Sequence, residues 1–242
     1  MTLQNFQDYL HSLYKANGST PSSTSDEWTH RKYLLYAAIN LWDTEKGMLW
    51  NELWTTLADA ATGDKTVNSS DVDYDMPTDF RFLGSFVRTT SSAGKHTYWR
   101  IISPAEAELY KNTDATACYV TGNKKAGFDL HFLKQPTVGD TINYPYYKEP
   151  FQPSLTTDVL EMNDPYFAIY YALSVMHAAD RDGDLANRAL DMAQDRLAAM
   201  KVKNMMLPDA QTNKVSDRDF QLGVAGFGQE GSRGVSRYGG TL

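Results

Sequence analysis

The spacing of apolar side chains changes twice along this chain, and no other feature limits its fold as strongly. Residues 1–70 repeat apolar side chains at steps of three and four, the period of an amphipathic helix. Residues 71–150 alternate apolar and polar side chains as half-buried strands do, and the helical period returns over 151–205. We therefore expect an α+β fold: a helical bundle from N-terminal and C-terminal helices, with an antiparallel β-rich middle that forms a small sheet or sandwich. An extended C-terminal arm follows, which is either a solvated tail or a segment that orders by packing on another subunit.

Polar and glycine-rich segments set the predicted domain boundaries. Gly18 to Ser25 is a polar linker, and residues 209–242 carry seven of the 16 glycines with charges that cancel. The predicted parts are an N-terminal helix (1–17), a linker (18–25), a helical domain (26–70 and 151–205), an antiparallel β domain (71–150) and a glycine-rich arm (206–242).

Short polar patterns predict where several helices begin. Thr24 and Glu27 have the spacing of a capping box, in which each side chain satisfies a free backbone amide. Asp164 is followed by Pro165, which needs no amide partner in the first turn of a helix. Asp184 is the predicted cap of the last helix, and a single helical turn is expected over 104–110.

A third helix is predicted after residue 47. Its apolar residues in phase are Trp50, Leu53, Trp54, Leu57 and Ala61. The tryptophans of this helix, with Trp28 and Trp42 of the preceding one, are interpreted as core residues, because an indole ring fills a large gap between helices.

Composition and charge exclude several classes of protein. A single cysteine, Cys118, rules out an intrachain disulfide and a zinc site built on several thiolates. No apolar stretch approaches the ~18 residues of a membrane span, and the first residues lack the pattern of a signal peptide. We expect a soluble intracellular protein. The net charge of −7 argues against sequence-specific DNA binding, which needs a basic surface.

Each candidate chemical motif fails on residue spacing or on its predicted structural context. A calcium loop starting at Asp180 would need Gly at its sixth position, where Leu185 stands. The Gly-x-Gly-x-x-Gly at 226–231 has no predicted strand before it and no helix after it. The five histidines include no pair at the i,i+4 spacing of metal ligands. We expect no catalytic residue, no metal and no cofactor, and we interpret the chain as a structural protein.

Two other functions stay open on the sequence. A hydrolase or lyase that uses a pair of carboxylates needs no motif visible in one sequence. A small-ligand binding domain with an aromatic pocket is the other alternative, since 12% of the residues are aromatic.

Aromatic residues outside the periodic stretches are candidates for contact with other subunits. In the arm, the predicted contacts to a neighbouring subunit or another protein are Phe220, Leu222, Phe227, Arg233, Arg237 and Tyr238. Tyr144, Tyr146 and Tyr147 fit a core stripe less easily than the other aromatic residues, and they are further candidates for contact between subunits.

Five local stretches follow one another in the order of the predicted elements: Met76-Pro77-Thr78-Asp79-Phe80, Tyr98-Trp99-Arg100-Ile101-Ile102, Phe128-Asp129-Leu130-His131-Phe132, Tyr144-Pro145-Tyr146-Tyr147-Lys148-Glu149-Pro150, and Asn163-Asp164-Pro165-Tyr166. Together with the order of elements, these stretches resemble the head-to-tail adaptor proteins of tailed bacteriophages, also called head-completion, connector or tail tubular proteins. The matching region covers residues 26–205.

The resemblance implies a structural protein of the virion neck, at the head–tail interface. It implies a homo-oligomeric ring of twelve subunits that docks on the portal protein, connects capsid to tail and offers a surface to the next tail or neck protein. DNA would leave through its channel without sequence-specific binding, and no membrane partner is expected. Such a ring would be assembled in the host cytoplasm.

Overall fold

Helices precede a β-rich middle and further helices follow it, as the hydrophobic periods predict, which confirms the α+β fold. The computed structural model describes residues 1–15, 18–46, 48–59, 66–68, 71–110 and 113–206. Within these residues the helices are α1 (Leu3–Tyr14), α2 (Asp26–Asp43), α3 (Pro104–Leu109), α4 (Tyr166–Ala179) and α5 (Gly183–Met206). The strands are β1 (Trp54–Thr56), β2 (Asp73–Asp75), β3 (Phe80–Leu83), β4 (Val87–Thr90), β5 (His96–Ile101), β6 (Ala117–Asn123), β7 (Gly127–Phe132), β8 (Thr141–Asn143) and β9 (Pro145–Lys148).

The described residues divide into two units. The helical unit comprises residues 1–53 and 150–206, and the β unit comprises Trp54–Glu149. Each unit has buried apolar residues of its own.

In the helical unit, α4 is the central helix and packs against α1, α2 and α5. Its first turns are apolar almost all round, as a helix with several neighbours requires. Helix α5 instead buries a single narrow stripe that includes Ala186, Ala189, Ala193 and Met200. Leu190, which follows Ala189 directly, is exposed and lies outside this stripe.

Helix caps differ in detail from the sequence prediction. Ser25, not Thr24, caps α2 by accepting a hydrogen bond from the Trp28 amide at 3.2 Å. Asp182, not Asp184, caps α5 through a bond from the Leu185 amide at 3.1 Å. In both cases the cap lies where the chain is still extended or turning, because a capping side chain must precede the first helical turn.

The remaining predicted helix starts are present. The Asp164 carboxylate accepts a bond from the Tyr166 amide at 3.1 Å. The predicted turn at 104–110 is α3, which begins with a capping box between Ser103 and Glu106.

The predicted third helix is wrong. Asn51–Leu53 and Leu57–Asp59 form 3₁₀ turns, and between them β1 pairs with β9. Trp50, Leu53 and Leu57 are buried as expected, but Trp54 is 50% exposed. A strand that pairs with residues some 90 positions away overrides the local helical spacing, since β pairing is decided by tertiary neighbours.

Two sheets form the β unit. Among the described strands, one sheet has the order β1-β9-β3 and the other the order β2-β7-β6-β5-β4-β8. Pairing is antiparallel except between β5 and β6, which run parallel because α3 lies on the connection between them. Large aromatic rings fill the core, including Trp99 against Phe132 at 4.6 Å between centroids.

Candidate protein-interaction surface

Three aromatic residues lie side by side across the small sheet. Tyr147 on the central strand β9 is directly opposite Trp54 on β1 and Phe82 on β3. Residues opposite each other in neighbouring antiparallel strands project from the same face, with Cβ atoms about 5 Å apart. The register therefore builds a continuous aromatic row from Trp54, Tyr147 and Phe82.

The aromatic row faces solvent. Trp54 is 50% exposed and Phe82 47% exposed, while Tyr147 between them is half-buried. Partial burial raises the pKa of the Tyr147 phenol, which further favours the neutral form whose hydroxyl can donate a hydrogen bond. The Arg81 guanidinium lies 4.9 Å from the centroid of the Phe82 ring, a cation–π distance. Trp, Tyr and Arg are the residues that most often dominate protein–protein binding energy.

The other face of the same sheet is part of the core, which corrects one expectation. Tyr144 and Tyr146 are almost completely buried in the β unit. The Tyr146 hydroxyl donates to the Asp79 carboxylate at 2.9 Å. Neither ring is open to a neighbouring subunit, so of the three predicted tyrosines only Tyr147 is on the accessible face. The alternation of β9 places residues 146 and 147 on opposite faces.

A close backbone approach fixes one edge of the row. The Gly84 amide, just after β3, donates to the Pro145 carbonyl at 2.8 Å. A Cβ at Gly84 would lie 2.7 Å from that carbonyl oxygen, closer than real contacts allow. Glycine is therefore required for β3 to pack against β9 in the register that places Phe82 beside Tyr147.

The predicted contact residues of the arm lie outside the described part of the chain. They are Phe220, Leu222, Phe227, Arg233, Arg237 and Tyr238.

Carboxylates with displaced pKa values would be the mark of an acid–base enzyme. The shifts that are resolved among the described carboxylates are all downward, and each has a structural cause. Hydrogen bonds from the Ser103 amide and hydroxyl lower the pKa of Glu106, and the Leu155 and Ser154 amides lower that of Asp158. For Glu27, partial burial acts to raise the pKa, but the charge of the buried Arg31 brings it below its usual value.

The structure also brings together three groups that the sequence did not indicate. His131 Nδ1 donates to the Asp73 carboxylate at 2.6 Å, and its Nε2 lies 2.5 Å from the Thr121 hydroxyl. This is the order of groups in an acid–base–nucleophile relay. Its cause is strand register, since Asp73 is directly opposite His131 and Thr121 lies diagonally to it. The three side chains share the polar face of a sheet and stabilise it as cross-strand contacts.

The acidic turn between α4 and α5 has structural partners. Asp180 accepts a hydrogen bond from the Tyr14 hydroxyl, and Asp182 caps α5. Within the described residues, no three His, Cys, Asp or Glu side chains are placed to hold a metal ion. No helix in the described part of the chain combines the length and apolarity needed to cross a membrane.

Sequence reasoning missed Trp54 and Phe82 as surface residues. Trp54 was hidden by its fit to a helical stripe, and Phe82 by its place in an alternating run with Phe80. A register irregularity between Phe80 and Phe82 sends the first ring into the core and the second outward. No local signal in the sequence marks that irregularity.

Comparison with known proteins supplies the family. The chain matches no curated protein sequence. The sequence model of one family, described as SU10 adaptor protein, matches residues 4–218, which is most of the chain. This match confirms the resemblance to phage head-to-tail adaptors and a structural role in the virion. The chain therefore belongs to the SU10 adaptor protein family of bacteriophage head-to-tail adaptors.

Proposed function

We propose that this protein forms a twelve-subunit ring in the neck of the virion, docked on the portal protein. The ring continues the channel through which DNA leaves the capsid and presents a surface to the next tail or neck protein. It is assembled in the host cytoplasm, and it carries no catalytic activity and no cofactor. Membership of the adaptor family is the observation that carries this proposal.

The charge of the chain suits a DNA channel. With 30 acidic and 23 basic side chains, the net charge is −7. An acidic surface repels DNA phosphates. It also lacks the basic side chains that bind phosphates by displacing their counterions, so DNA passes without being held.

The aromatic row supplies a docking surface. Exposed contiguous aromatic side chains on a soluble subunit mark contact sites for other proteins. Tyr147 offers a neutral hydroxyl, and the Arg81 guanidinium over the Phe82 ring adds a positive charge at the edge of the patch. We assign this row to contact with the portal, and we infer that the arm residues named above add a second contact.

The test is binding of the purified protein to the portal protein of the same phage, measured by sedimentation and seen by negative-stain electron microscopy. The expected result is a ring on one end of the portal. Trp54→Ala with Phe82→Ala should weaken binding by at least about 30-fold, because truncating a hot-spot residue costs about 2 kcal/mol or more. Leu155→Ala, at another exposed apolar position, is the matched control and should bind as the wild type does.

Removing residues 209–242 tests the arm in the same assay. We expect the truncated chain to keep its circular-dichroism spectrum and to lose portal binding, since scattered anchors on a glycine-rich segment add contacts without adding a core. Failure of the full-length chain to bind portal contradicts the proposed function. Full binding by the Trp54→Ala, Phe82→Ala variant contradicts only the assignment of the aromatic row.

A further inference from the structure

Helix α2 carries an exposed row of residues on the side away from its buried face. These residues, here called the α2 seam, are Asp26, His30, Tyr33, Ala37 and Asn40. They follow steps of four, three, four and three, the spacing with which one helix meets another along a seam. Tyr33 is 62% exposed, a high value for an aromatic side chain in the middle of a helix.

Helix α5 carries a row with the same steps. These residues, the α5 seam, are Arg188, Met192, Asp195, Ala199 and Val202, and all are exposed. They lie on a different face from the stripe that α5 buries against α4. Met192 and Val202 are about half exposed. A 24-residue helix that buries one narrow stripe therefore has a second face fit for packing.

The two helices point the same way within the helical unit. At one end, Glu27 near the start of α2 forms an ion pair with Lys15, and the adjacent Tyr14 bonds to Asp180, just before α5 begins. At the other end, Glu45 beyond α2 bonds to Lys201 near the end of α5. Rotation by one twelfth of a turn changes the direction of a helix by at most about 30°, so in the proposed ring α2 of one copy meets α5 of the next close to parallel.

Parallel alignment of the seams brings complementary groups together. Each residue of the α2 seam has its counterpart 162 positions later in the α5 seam. This register sets Asp26 against Arg188, which have opposite charges, and Ala37 against Ala199, where two small side chains let the helices approach. It also sets the Tyr33 hydroxyl against the Asp195 carboxylate. Antiparallel alignment would leave Asp26 and Arg188 facing Val202 and Asn40.

We propose that the α2 seam of one copy packs in parallel against the α5 seam of the next copy, in the register that joins Asp26 to Arg188 and Ala37 to Ala199. The contact uses different surfaces on its two sides, which is the arrangement that closes a ring. This inference rests on the ring of the proposed function and adds the surfaces that hold it together.

Disulfide trapping tests the register directly. The full chain carrying both Ala37→Cys and Ala199→Cys is assembled on portal protein, oxidised and run on a non-reducing gel. We expect a ladder of covalent oligomers up to the size of the ring, because facing seam positions meet the distance limits of a disulfide. Each single variant should run as a monomer on the same gel, because it has only one of the two facing cysteines. The native Cys118 is fully buried and gives no background.

The outcomes separate this inference from the proposed function. Rings seen by electron microscopy without a ladder overturn the seam and leave the adaptor role intact. Dimers formed by a single variant also overturn it, because they show that one surface meets itself. Absence of any ring, with portal present, contradicts both.

A charge swap gives an independent check. Arg188→Asp should weaken ring assembly at least tenfold, since it places two carboxylates together, and adding Asp26→Arg should restore it to within about threefold. Gln194→Asp also introduces a carboxylate on α5, but on another exposed face, and should have no effect. A double variant that assembles no better than Arg188→Asp alone overturns the proposed register.

Discussion

The helical unit and the β unit place their largest aromatic rings differently. In the helical unit Trp28, Trp42 and Trp50 are buried, and Trp42 stacks on Trp50 with 5.3 Å between ring centroids. In the β unit Trp54 and Phe82 remain about half exposed on one face of a small sheet. The helical unit thus buries its three indoles, although Tyr33 on α2 is 62% exposed, whereas the β unit buries Trp99 and leaves Trp54 at its surface. Under the proposed function, a subunit binds copies of itself and the portal, and two different surfaces serve these two contacts.

The strongest test of this difference compares two tryptophans. Trp42→Ala should lower the free energy of unfolding by about 3–5 kcal/mol, because it opens a cavity beside Trp50. The hydrogen bond from the Trp50 indole N–H to the residue 42 backbone oxygen, 2.7 Å long, is kept, because the substitution leaves the backbone unchanged. Trp54→Ala should cost less than about 1 kcal/mol, as expected for a half-exposed site. Urea unfolding followed by circular dichroism measures both values.

Equal destabilisation by the two variants would contradict the different roles assigned to the two units. It would mean that Trp54 is covered in the folded protein. Trp54→Phe, which keeps an aromatic surface, then shows whether ring area at this position matters to stability.

A smaller effect separates the two faces of β9. Tyr146→Phe removes the hydroxyl that donates to Asp79 and should cost about 1–2 kcal/mol, because the carboxylate loses a buried partner. Tyr147→Phe removes a hydroxyl from the exposed face and should change stability by less than about 0.5 kcal/mol. Thermal unfolding of the two variants side by side measures the difference. The opposite ranking would show that the faces of β9 are assigned the wrong way round.

The smallest effect concerns pH, and each unit offers one carboxylate. Asp158 in the helical unit and Glu106 in the β unit each have a pKa lowered by local hydrogen bonds, from ordinary values of 3.8 and 4.5. A carboxyl whose pKa is lowered in the folded state stabilises the protein at pH values above its ordinary pKa. That stabilisation is lost as the pH falls through the pKa of the folded state. Asp158→Asn and Glu106→Gln should therefore lower the melting temperature at pH 7, with the difference from wild type shrinking below about pH 4.

Melting curves of both variants from pH 7 to pH 3 check this expectation. A difference in melting temperature from wild type that stays constant with pH would mean that the carboxylate acts through the shape of its side chain and not through its charge.

The sequence was most informative where structure is local. The helical periods of α1, α2, α4 and α5 and the turn at α3 depend on neighbours a few residues apart, so spacing predicts them. The pairing of β1 with β9 joins residues far apart in the chain. Local spacing cannot show such pairing, so the helix predicted around Trp54 was wrong. The buried positions of Tyr144 and Tyr146 were hidden because Pro145 and Tyr147 blur the alternation.

The surface proposed for docking shows the same limit. Tyr147 was a candidate from the sequence, but its neighbours Trp54 and Phe82 come from two other strands. Only strand register, which is set by long-range pairing and by the close approach at Gly84, brings the three rings together.

An electron-microscopy reconstruction of the neck of the virion that contains this protein would show both proposed interfaces at once. We expect a closed ring of copies beneath the portal, with Trp54 and Phe82 buried against portal and α2 of each copy beside α5 of the next. A neck in which this chain is absent, or in which it forms no ring on the portal, would contradict the proposed function.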